Sequence, residues 1–231
     1  MLDRYYSAEP IQGATATLSG SEAHHLLHVM RAKPGWRLIV FDGYGGEYEA
    51  ELTDCGRATV ELSLGPRNNI ERELPFQLTL AVALPKGDRQ RWLVEKAVEL
   101  GVARLVPLLA ARTVAGSEQA SPKLLRYVIE ASKQCGRNRL MEVTPPLSFA
   151  DLIESEQTSI RLLAHPDGLS LDVAEQVSAG NCSLAIGPEG GFTEEEIALA
   201  IAAGWQTVDL GSRILRIETA AIALASAIVL R

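Results

Sequence analysis

Two short apolar runs near the end of the chain each break at a glycine, and this pair of strand ends constrains the fold more than any other feature. The run 183–186 leads into the loop 187–191 (GPEGG). The run 207–210 leads into the loop 211–219 (GSRILRIET). Strand ends that open into loops of small residues commonly form a ligand cleft in an α/β sheet. We therefore expect the chemistry of this protein within residues 182–220.

From residue 76 onward, strand-like and helix-like patterns alternate, which predicts a parallel sheet covered by helices on both faces. The predicted strands are 76–84, 104–109, 160–164, 183–186 and 207–210, and the predicted helices are 88–100, 122–134, 149–154, 171–178, 194–203 and 219–230. Helix 88–100 is expected to share one face among Trp92, Leu93, Lys96, Ala97 and Leu100. The fold class of this part is therefore α/β.

Residues 1–64 are predicted to be mostly β. The strand candidates 36–41, 47–52 and 59–64 are separated by turn residues. One helix, capped by Ser21, carries an apolar face made by Ala23, Leu26, Leu27 and Met30. This pattern predicts a small β-barrel or sandwich. The polar stretch 65–75 is typical of a linker, so we place one domain at 1–70 and a second, α/β domain at 71–231.

The net charge of −7 is unevenly distributed along the chain. Residues 71–145 carry 12 Lys and Arg against 8 Asp and Glu, whereas residues 146–231 carry 4 against 12. The basic middle contains two groups, namely Lys86, Arg89 and Arg91, and Lys133, Arg137 and Arg139. Lys133 and Arg137 are four residues apart and would share a helix face. These groups either converge on phosphates or form an ordinary solvated surface.

Apolar content of 47% and charged content of 22% are typical of a soluble globular protein. The longest apolar run, 220–230, is too short to span a bilayer, and the first residues lack the apolar core of a signal peptide. We therefore expect a cytoplasmic protein without membrane contact. The scattered Cys55, Cys135 and Cys182 indicate reduced thiols rather than disulfides.

His24 and His28 have a zinc-compatible spacing, but few further ligands lie nearby in the sequence. We expect no metal. A plain surface helix is the favoured interpretation, and an RNA-facing helix edge beside Arg31 and Lys33 is the second.

The two glycine-broken loops differ in chemistry. After the first, Thr193 and Glu196 form a predicted capping box, and a helix N-terminus beside a glycine loop favours a polar or anionic ligand group. A plain strand-to-helix turn is the alternative. The second loop carries the apolar residues Ile214, Leu215 and Ile217 among arginines. It either offers a flat slot for an adenine ring or packs under the last helix.

Five motifs, in order and nearly end to end, resemble one known family. They are HHLLHVMR (24–31), LPKGDRQRWLVEKAVELGV (84–102), EASKQCGR (130–137), IGPEGGFTEEEI (186–197) and LGSRILRIETAAIAL (210–224). The chain resembles the RsmE family of SPOUT-class methyltransferases, which methylate N3 of a uridine in bacterial 16S ribosomal RNA. It departs at 111–116 (ARTVAG), where the family usually has a sequence closer to ERSV and Glu at the position of Ala111. It departs again at Leu125-Arg126-Tyr127, where an Arg-Trp pair is more usual.

This resemblance implies a PUA-like N-terminal β-barrel that helps to hold RNA, and a C-terminal α/β domain with a deep trefoil knot. It also implies a homodimer that binds S-adenosylmethionine and acts on 16S ribosomal RNA in the small subunit. The implied cofactor loops are 163–166, 186–191 and 210–219. The cofactor residues carried over are Leu163, Ala164, His165, Ile186, Gly187, Pro188, Gly190, Gly191, Leu210, Gly211, Ile214, Leu215, Ile217 and Thr219.

Three residues are candidates for the chemistry. Glu189 either takes the N3 proton or holds a cofactor or base group, and Arg137 and Arg216 either fix the uridine phosphate or stabilise an oxyanion. No metal is required, because a sulfonium is already an activated methyl donor. The residues expected to contact RNA are His25, Arg31, Lys86, Arg89, Lys133 and Arg139.

Three other functions stay open from the sequence. The first is a methyltransferase of the same class that acts on another RNA position, such as a ribose 2′-hydroxyl. The second is a doubly wound nucleotide-binding enzyme, although strand 76–84 leads into LPKGDR rather than into a glycine-rich phosphate loop. The third is a non-catalytic RNA-binding or ribosome-assembly factor.

Overall fold

The computed structural model describes residues 2–113, 122–170 and 180–230. The chain forms two compact units, one made of Met1–Glu73 with Ile129–Leu140 and the other of Leu74–Val128 with Met141–Arg231. The strands are β1 (Arg4–Tyr6), β2 (Thr15–Ser19), β3 (Arg37–Phe41), β4 (Glu47–Cys55), β5 (Thr59–Asn68), β6 (Leu78–Val82), β7 (Arg104–Leu109), β8 (Glu142–Val143), β9 (Leu147–Ser148), β10 (Ile160–Ser170), β11 (Cys182–Ile186) and β12 (Gln206–Asp209). The helices are α1 (Gly20–His24), which continues as a π-helical turn (His25–Val29), α2 (Asp88–Glu99), α3 (Pro122–Cys135), α4 (Phe149–Ser155), α5 (Glu194–Ala202) and α6 (Ile217–Val229).

The N-terminal unit contains a five-stranded sheet in the order β1-β3-β4-β5-β2, curled into a half-barrel. β1 runs parallel to β3, and the other pairings are antiparallel. Its core is formed by alternating apolar side chains such as Leu38, Leu52 and Leu62, which are fully buried. The prediction of a small β-rich unit with one helix is confirmed, although the sequence pattern missed β1 and β2.

Two local predictions in this unit are wrong. Strand β5 continues to Asn68, past the predicted start of the linker at residue 65, because Glu47 and Tyr48 pair with Asn68 and Arg67. Backbone pairing satisfies main-chain groups whatever the side chains are, so a polar sequence does not end a strand. The helix is not capped by Ser21, since Ser19 holds the N-cap position and makes no side-chain capping bond.

Helix α3 ends at Cys135, where the next residue, Gly136, has a φ of 85°. Glycine in this left-handed conformation commonly ends helices because it lacks a Cβ atom. The prediction that Lys133 and Arg137 share a helix face is therefore wrong, because Arg137 lies beyond the helix.

The C-terminal unit is built on a parallel sheet in the order β12-β10-β11-β6-β7-β8, with β9 also paired to β7. Its pairings are all parallel in the described part of the chain. Every residue of β6 and β11 is buried. Helices α2 and α6 pack together, as do α4 and α5, and α6 also packs on β6 and β11. The predicted α/β fold with a parallel sheet is confirmed.

The buried face of α2 differs from the predicted one. Leu93, Val94, Ala97 and Val98 are buried, whereas Trp92 is 43% exposed. The two apolar pairs Leu93-Val94 and Ala97-Val98 set the face, and the large ring of Trp92 stays at its edge. The predicted helix 171–178 lies outside the described residues, and the trefoil knot stays a prediction.

Candidate functional site

A cavity of about 580 Å³ lies in the C-terminal unit, beside residues 164–166 of β10 and at the carboxyl ends of the neighbouring strands β11 and β12. Its wall is formed by this part of β10 and by the loops that follow β11 and β12. Ligands bind at this edge of open parallel sheets because the loops there can diverge. The cavity is lined by Arg112, Ala164, His165, Pro166, Ile186, Gly187, Pro188, Glu189, Gly190, Gly191, Phe192, Asp209, Leu210, Gly211, Ser212, Arg213, Ile214, Leu215, Ile217 and Ala220.

Most of the predicted cofactor residues lie together in this lining. Two do not line it, namely Leu163, which is buried inside β10, and Thr219, which is exposed in the first turn of α6. Glu189, a predicted catalytic residue, lines the cavity. Arg216 is exposed at the N-cap of α6 and is not part of the lining.

The glycines of the first loop have separate structural reasons. A Cβ atom on Gly187 would lie 3.1 Å from the Phe192 ring, and one on Gly190 would lie 3.3 Å from the Arg112 side chain. Gly191 has a φ of 69°, which L-residues rarely adopt. The predicted capping box is present, since Thr193 and Glu196 each accept a hydrogen bond from the other's backbone N–H. The loop is thus held rigidly against helix α5.

The second loop places apolar side chains on the cavity. Ile214 is 100% exposed, although it lies in the cavity wall. Ile217, by contrast, is buried. The turn that starts this loop is held by Asp209, whose Oδ1 accepts a hydrogen bond from the Gly211 N–H at 2.9 Å. A fully exposed isoleucine on a concave surface is available for apolar contact with a ligand.

The third part of the wall lies inside β10, so the predicted end of this strand at residue 164 is wrong, and the segment 163–166 that was expected to be a loop belongs to the strand. β10 pairs with β12 in two registers, and both Ala164 and Leu169 lie opposite Val208. A Cβ atom on Gly168 would lie 2.5 Å from the Val208 backbone. His165 lines the cavity, and its Nδ1 accepts a hydrogen bond from the Asp167 N–H at 3.2 Å.

Arg89, predicted as an RNA contact, lies between two carboxylates. Its Nη1 is 3.5 Å from Glu189 Oε1 and 3.9 Å from Glu218 Oε2. The Glu218 side chain is only 9% exposed, whereas that of Glu189 is 56% exposed. Arg89 thus links the first loop to the start of α6 and leaves Glu189 accessible from the cavity.

Lys86, which is exposed between β6 and α2, and Arg91 of α2 lie in the C-terminal unit, whereas Lys133, Arg137 and Arg139 lie in the N-terminal unit. Arg137 is 4% exposed, and its Nε donates to Glu73 Oε1 at 2.9 Å, with a second contact from Nη2 to Oε2. Lys133 is 3.0 Å from Glu22. Arg139 is exposed and lies 3.8 Å from Glu71.

Both remaining residues predicted to contact RNA are exposed. The Nδ1 atom of His25 lies 3.3 Å from the Tyr5 hydroxyl. Arg31 has a φ of 54°. Among the described residues, no group of three or more His, Cys, Asp and Glu could hold a metal, and no helix is long and apolar enough to cross a membrane.

Arg112 lines the cavity, and the sequence reasoning did not select it. It follows the carboxyl end of β7, and its Nη1 donates to the Gly190 carbonyl at 2.7 Å. The Ala111 N–H donates to Glu196 Oε1 at 2.8 Å, so one contact joins this turn to the first loop and the other joins it to helix α5. A backbone hydrogen bond and the Thr193 hydroxyl lower the pKa of Glu195, and Arg112 adds to this shift. The sequence signal that could have identified Arg112 is its position directly after β7, a parallel strand that ends at the same edge of the sheet as β11.

Comparisons with known proteins agree with this geometry. Residues 72–229 match the family model described as "RNA methyltransferase domain", and residues 18–64 match the one described as "RNA methyltransferase PUA domain". A relative in Synechocystis, "Ribosomal RNA small subunit methyltransferase E", is 37% identical over 92% of this chain and 72% of its own length. The chain belongs to the ribosomal RNA small subunit methyltransferase E family. The resemblance noted from the motifs is thereby confirmed.

Two solved structures are similar to this methyltransferase over nearly the whole chain. A Legionella pneumophila protein, solved in complex with the bound cofactor SAM, has a TM-score of 0.91 and 31% identity, and the match covers 99% of this chain and 97% of that one. A Ribosomal RNA small subunit methyltransferase E from Neisseria gonorrhoeae, bound to S-adenosyl methionine, has a TM-score of 0.89 and 30% identity, covering 98% and 96%. Both units of the methyltransferase therefore have counterparts in these structures.

Proposed function

We propose that this protein uses S-adenosylmethionine to methylate N3 of a uridine in the 16S ribosomal RNA of the small subunit. The observation that carries the proposal is the cavity between residues 164–166 of β10 and the loops after β11 and β12, in a chain of this family. The relatives solved with the cofactor support its first half. The uracil N3 target rests on the resemblance of the motifs.

The cavity fits the cofactor in size and in chemistry. Its volume of about 580 Å³ is within the usual range for small-molecule sites. Ile214, Leu215 and Ile217 offer an apolar surface to an adenine ring, while Glu189 and Asp209 place negative charge near a cationic ligand. When bound, the cofactor supplies a sulfonium-activated methyl group, so the transfer needs no metal.

The protein's own residues have to orient the uracil and remove its N3 proton. Holding two reactants in line is worth about 7 kcal/mol or more in the best intramolecular cases. Glu189 is our candidate base, because its side chain is more than half exposed on the cavity wall and its loop is held by Arg89 and Arg112. If Glu189→Gln keeps the wild-type single-turnover rate with bound cofactor, this role is wrong.

We assign the holding of the RNA to the PUA-like N-terminal unit and to exposed basic residues, with Lys86, Arg31 and Arg139 as the accessible ones. A homodimer in the cytoplasm is part of the same proposal and is checked by light scattering of the purified protein and by cell fractionation.

The deciding experiment is transfer of a labelled methyl group to small ribosomal subunits that lack the modification. We expect label in 16S ribosomal RNA, and 3-methyluridine on nucleoside mass spectrometry. A 2′-O-methylated nucleoside would move the target to the ribose. Absence of transfer, together with no cofactor binding in calorimetry, would favour a non-catalytic RNA-binding factor.

A further inference from the structure

We propose that Arg112 is a catalytic residue that binds the target uracil as its N3 proton leaves and stabilises the negative charge on the ring oxygens. This inference rests on the proposed function and adds a residue that the motifs did not single out for this role. Four observations carry it: the place of Arg112 in the cavity wall, its anchoring, its open donors, and the pairing of the other basic residues.

Arg112 is fixed in position by the loop that carries Glu189. Its Nη1 donates to the Gly190 carbonyl at 2.7 Å, with a longer contact of 3.5 Å to the Phe192 carbonyl. A Cβ atom on Gly190 would lie 3.3 Å from both Cβ and Cδ of Arg112. The side chain therefore lies directly across the loop, and glycine at position 190 makes room for it.

The anchored guanidinium still has donors to offer. Among the described residues, Nε and Nη2 of Arg112 have no hydrogen-bond partner, and no carboxylate forms an ion pair with it. The residue is exposed and lines the cavity. A planar guanidinium with one edge held and another open is suited to a planar ligand with oxygen acceptors.

The other candidate cations are less suited to this role. Arg137 belongs to the N-terminal unit and is buried against Glu73. Arg89 is held between Glu189 and Glu218. Arg216 does not line the cavity, and Arg213 lies in the apolar loop proposed to receive the adenine. Arg112 is on the Glu189 side, where the proton has to leave.

The reaction creates an anion that needs such a partner. N3 gives its proton to a base, and the negative charge that remains spreads over N3, O2 and O4 of the uracil. The N3 electron pair then forms the new N–CH₃ bond, while the bond between that methyl carbon and the sulfonium sulfur breaks and its electron pair returns to sulfur. A fixed cation beside O2 or O4 lowers the energy of the anion without reorganising when it forms.

The test compares Arg112→Met and Arg112→Lys with the wild type under single-turnover conditions, at saturating cofactor and RNA, across a range of pH. Lys96→Gln is the charge-matched control, because Lys96 pairs with Glu99 on the surface of α2. The titratable and charged groups that line the cavity are Arg112, His165, Glu189, Asp209 and Arg213. Glu195 and Glu196 of α5 face the turn that carries Arg112, and Arg89 of α2 faces Glu189. All of these groups except Arg112 stay unchanged.

We expect Arg112→Met to lower the rate at neutral pH about 100-fold or more, as with other donors to a developing oxyanion. The midpoint of its pH–rate profile should move up by about one to three units, because the cation no longer lowers the pKa of the bound imide. Arg112→Lys should recover part of the rate. The affinity for the cofactor should change less than about threefold, which is small beside the tenfold change that corresponds to one pKa unit.

Three results would overturn the role. A rate within the range of the Lys96→Gln control would remove it, and so would an equal loss at every pH, which indicates a structural effect on the loop. A loss of cofactor affinity as large as the loss of rate would make Arg112 a cofactor-binding residue instead. If the wild type leaves N3 unmethylated, the proposed function itself fails, which is a different outcome from a working wild type with an unaffected variant.

Discussion

Two sets of basic side chains, one in each unit of this methyltransferase, differ in how they are paired. In the N-terminal unit, Arg4, Lys133 and Arg137 are each held by a nearly buried carboxylate. In the C-terminal unit, Arg112 and Arg213 line an open cavity, and neither has an ion-pair partner among the residues that the structure describes. Arg112 and Arg137 come from the same basic stretch of the sequence. Local excess of positive charge therefore indicates neither where cations are available nor what they bind.

The largest effect on stability is expected when one partner of a nearly buried ion pair is removed. Glu73→Gln removes the carboxylate that pairs with the guanidinium of Arg137, which is 4% exposed. We expect the free energy of unfolding to fall by about 3 to 5 kcal/mol, because removing one partner of a buried ion pair is strongly destabilising. Denaturant unfolding of the variant and the wild type measures the difference.

The matched control for that experiment is Glu49→Gln. Its partner Arg37 lies in an exposed pair, with side chains 65% and 53% exposed, and we expect a loss below about 1 kcal/mol. Equal losses in the two variants would show that Arg137 is no more dependent on its partner than a surface arginine.

Both units contribute to the alkaline limb of the pH–stability curve, since burial raises the pKa of Tyr5 in the N-terminal unit to about 12 as well. In the C-terminal unit, burial raises the pKa of the Cys182 thiol from 9.0 to about 12. Its contribution to stability is complete below pH 9 and is lost as pH rises toward 12, with a slope of about 1.4 kcal/mol per pH unit. We expect Cys182→Ala to flatten this alkaline limb, measured by urea unfolding from pH 8 to pH 11. An unchanged slope would contradict it.

In the N-terminal unit, burial alone would raise the pKa of Glu47, but hydrogen bonds from Arg4 and Arg72 outweigh it and hold the pKa below its ordinary 4.5. Stability from Glu47 is therefore present above pH 4.5 and is lost as pH falls through the lowered pKa. Glu47→Gln should flatten the acid limb and leave the alkaline limb as it is.

The smallest expected effect concerns RNA affinity. Arg139 is exposed and 3.8 Å from Glu71, whereas Lys133 is 3.0 Å from Glu22 and largely buried. We expect Arg139→Gln to reduce the slope of log affinity for 16S ribosomal RNA against log salt by about 1. Lys133→Gln should leave the slope nearly unchanged. Titrations of RNA at several salt concentrations measure both, and equal slopes would remove the distinction between paired and open cations.

Much of the site could be predicted from local patterns. The GPEGG loop, the Thr193 capping box and the apolar residues after Gly211 are each encoded within about ten residues, and the structure places them as expected. The predicted buried face of α2 and the predicted N-cap of α1 were wrong, because neighbouring apolar or hydroxyl residues can take the same role. Tertiary packing selects among them. Arg112 was not predicted as a site residue because its neighbours in the sequence give no indication that it contacts the loop 187–191.

The α/β class, the β-rich N-terminal part and the two glycine-broken strand ends can be predicted from the amino-acid sequence, since these features depend on hydrophobic periodicity and on residues that interact with near neighbours. Which cations are ion-paired depends on contacts that form only in the folded chain. Residues 129–140 join the N-terminal unit, where Arg137 meets Glu73, whereas Arg112 follows β7 to the cavity. The physical reason is that ion pairing and burial depend on contacts between residues about 60 to 80 positions apart in the chain.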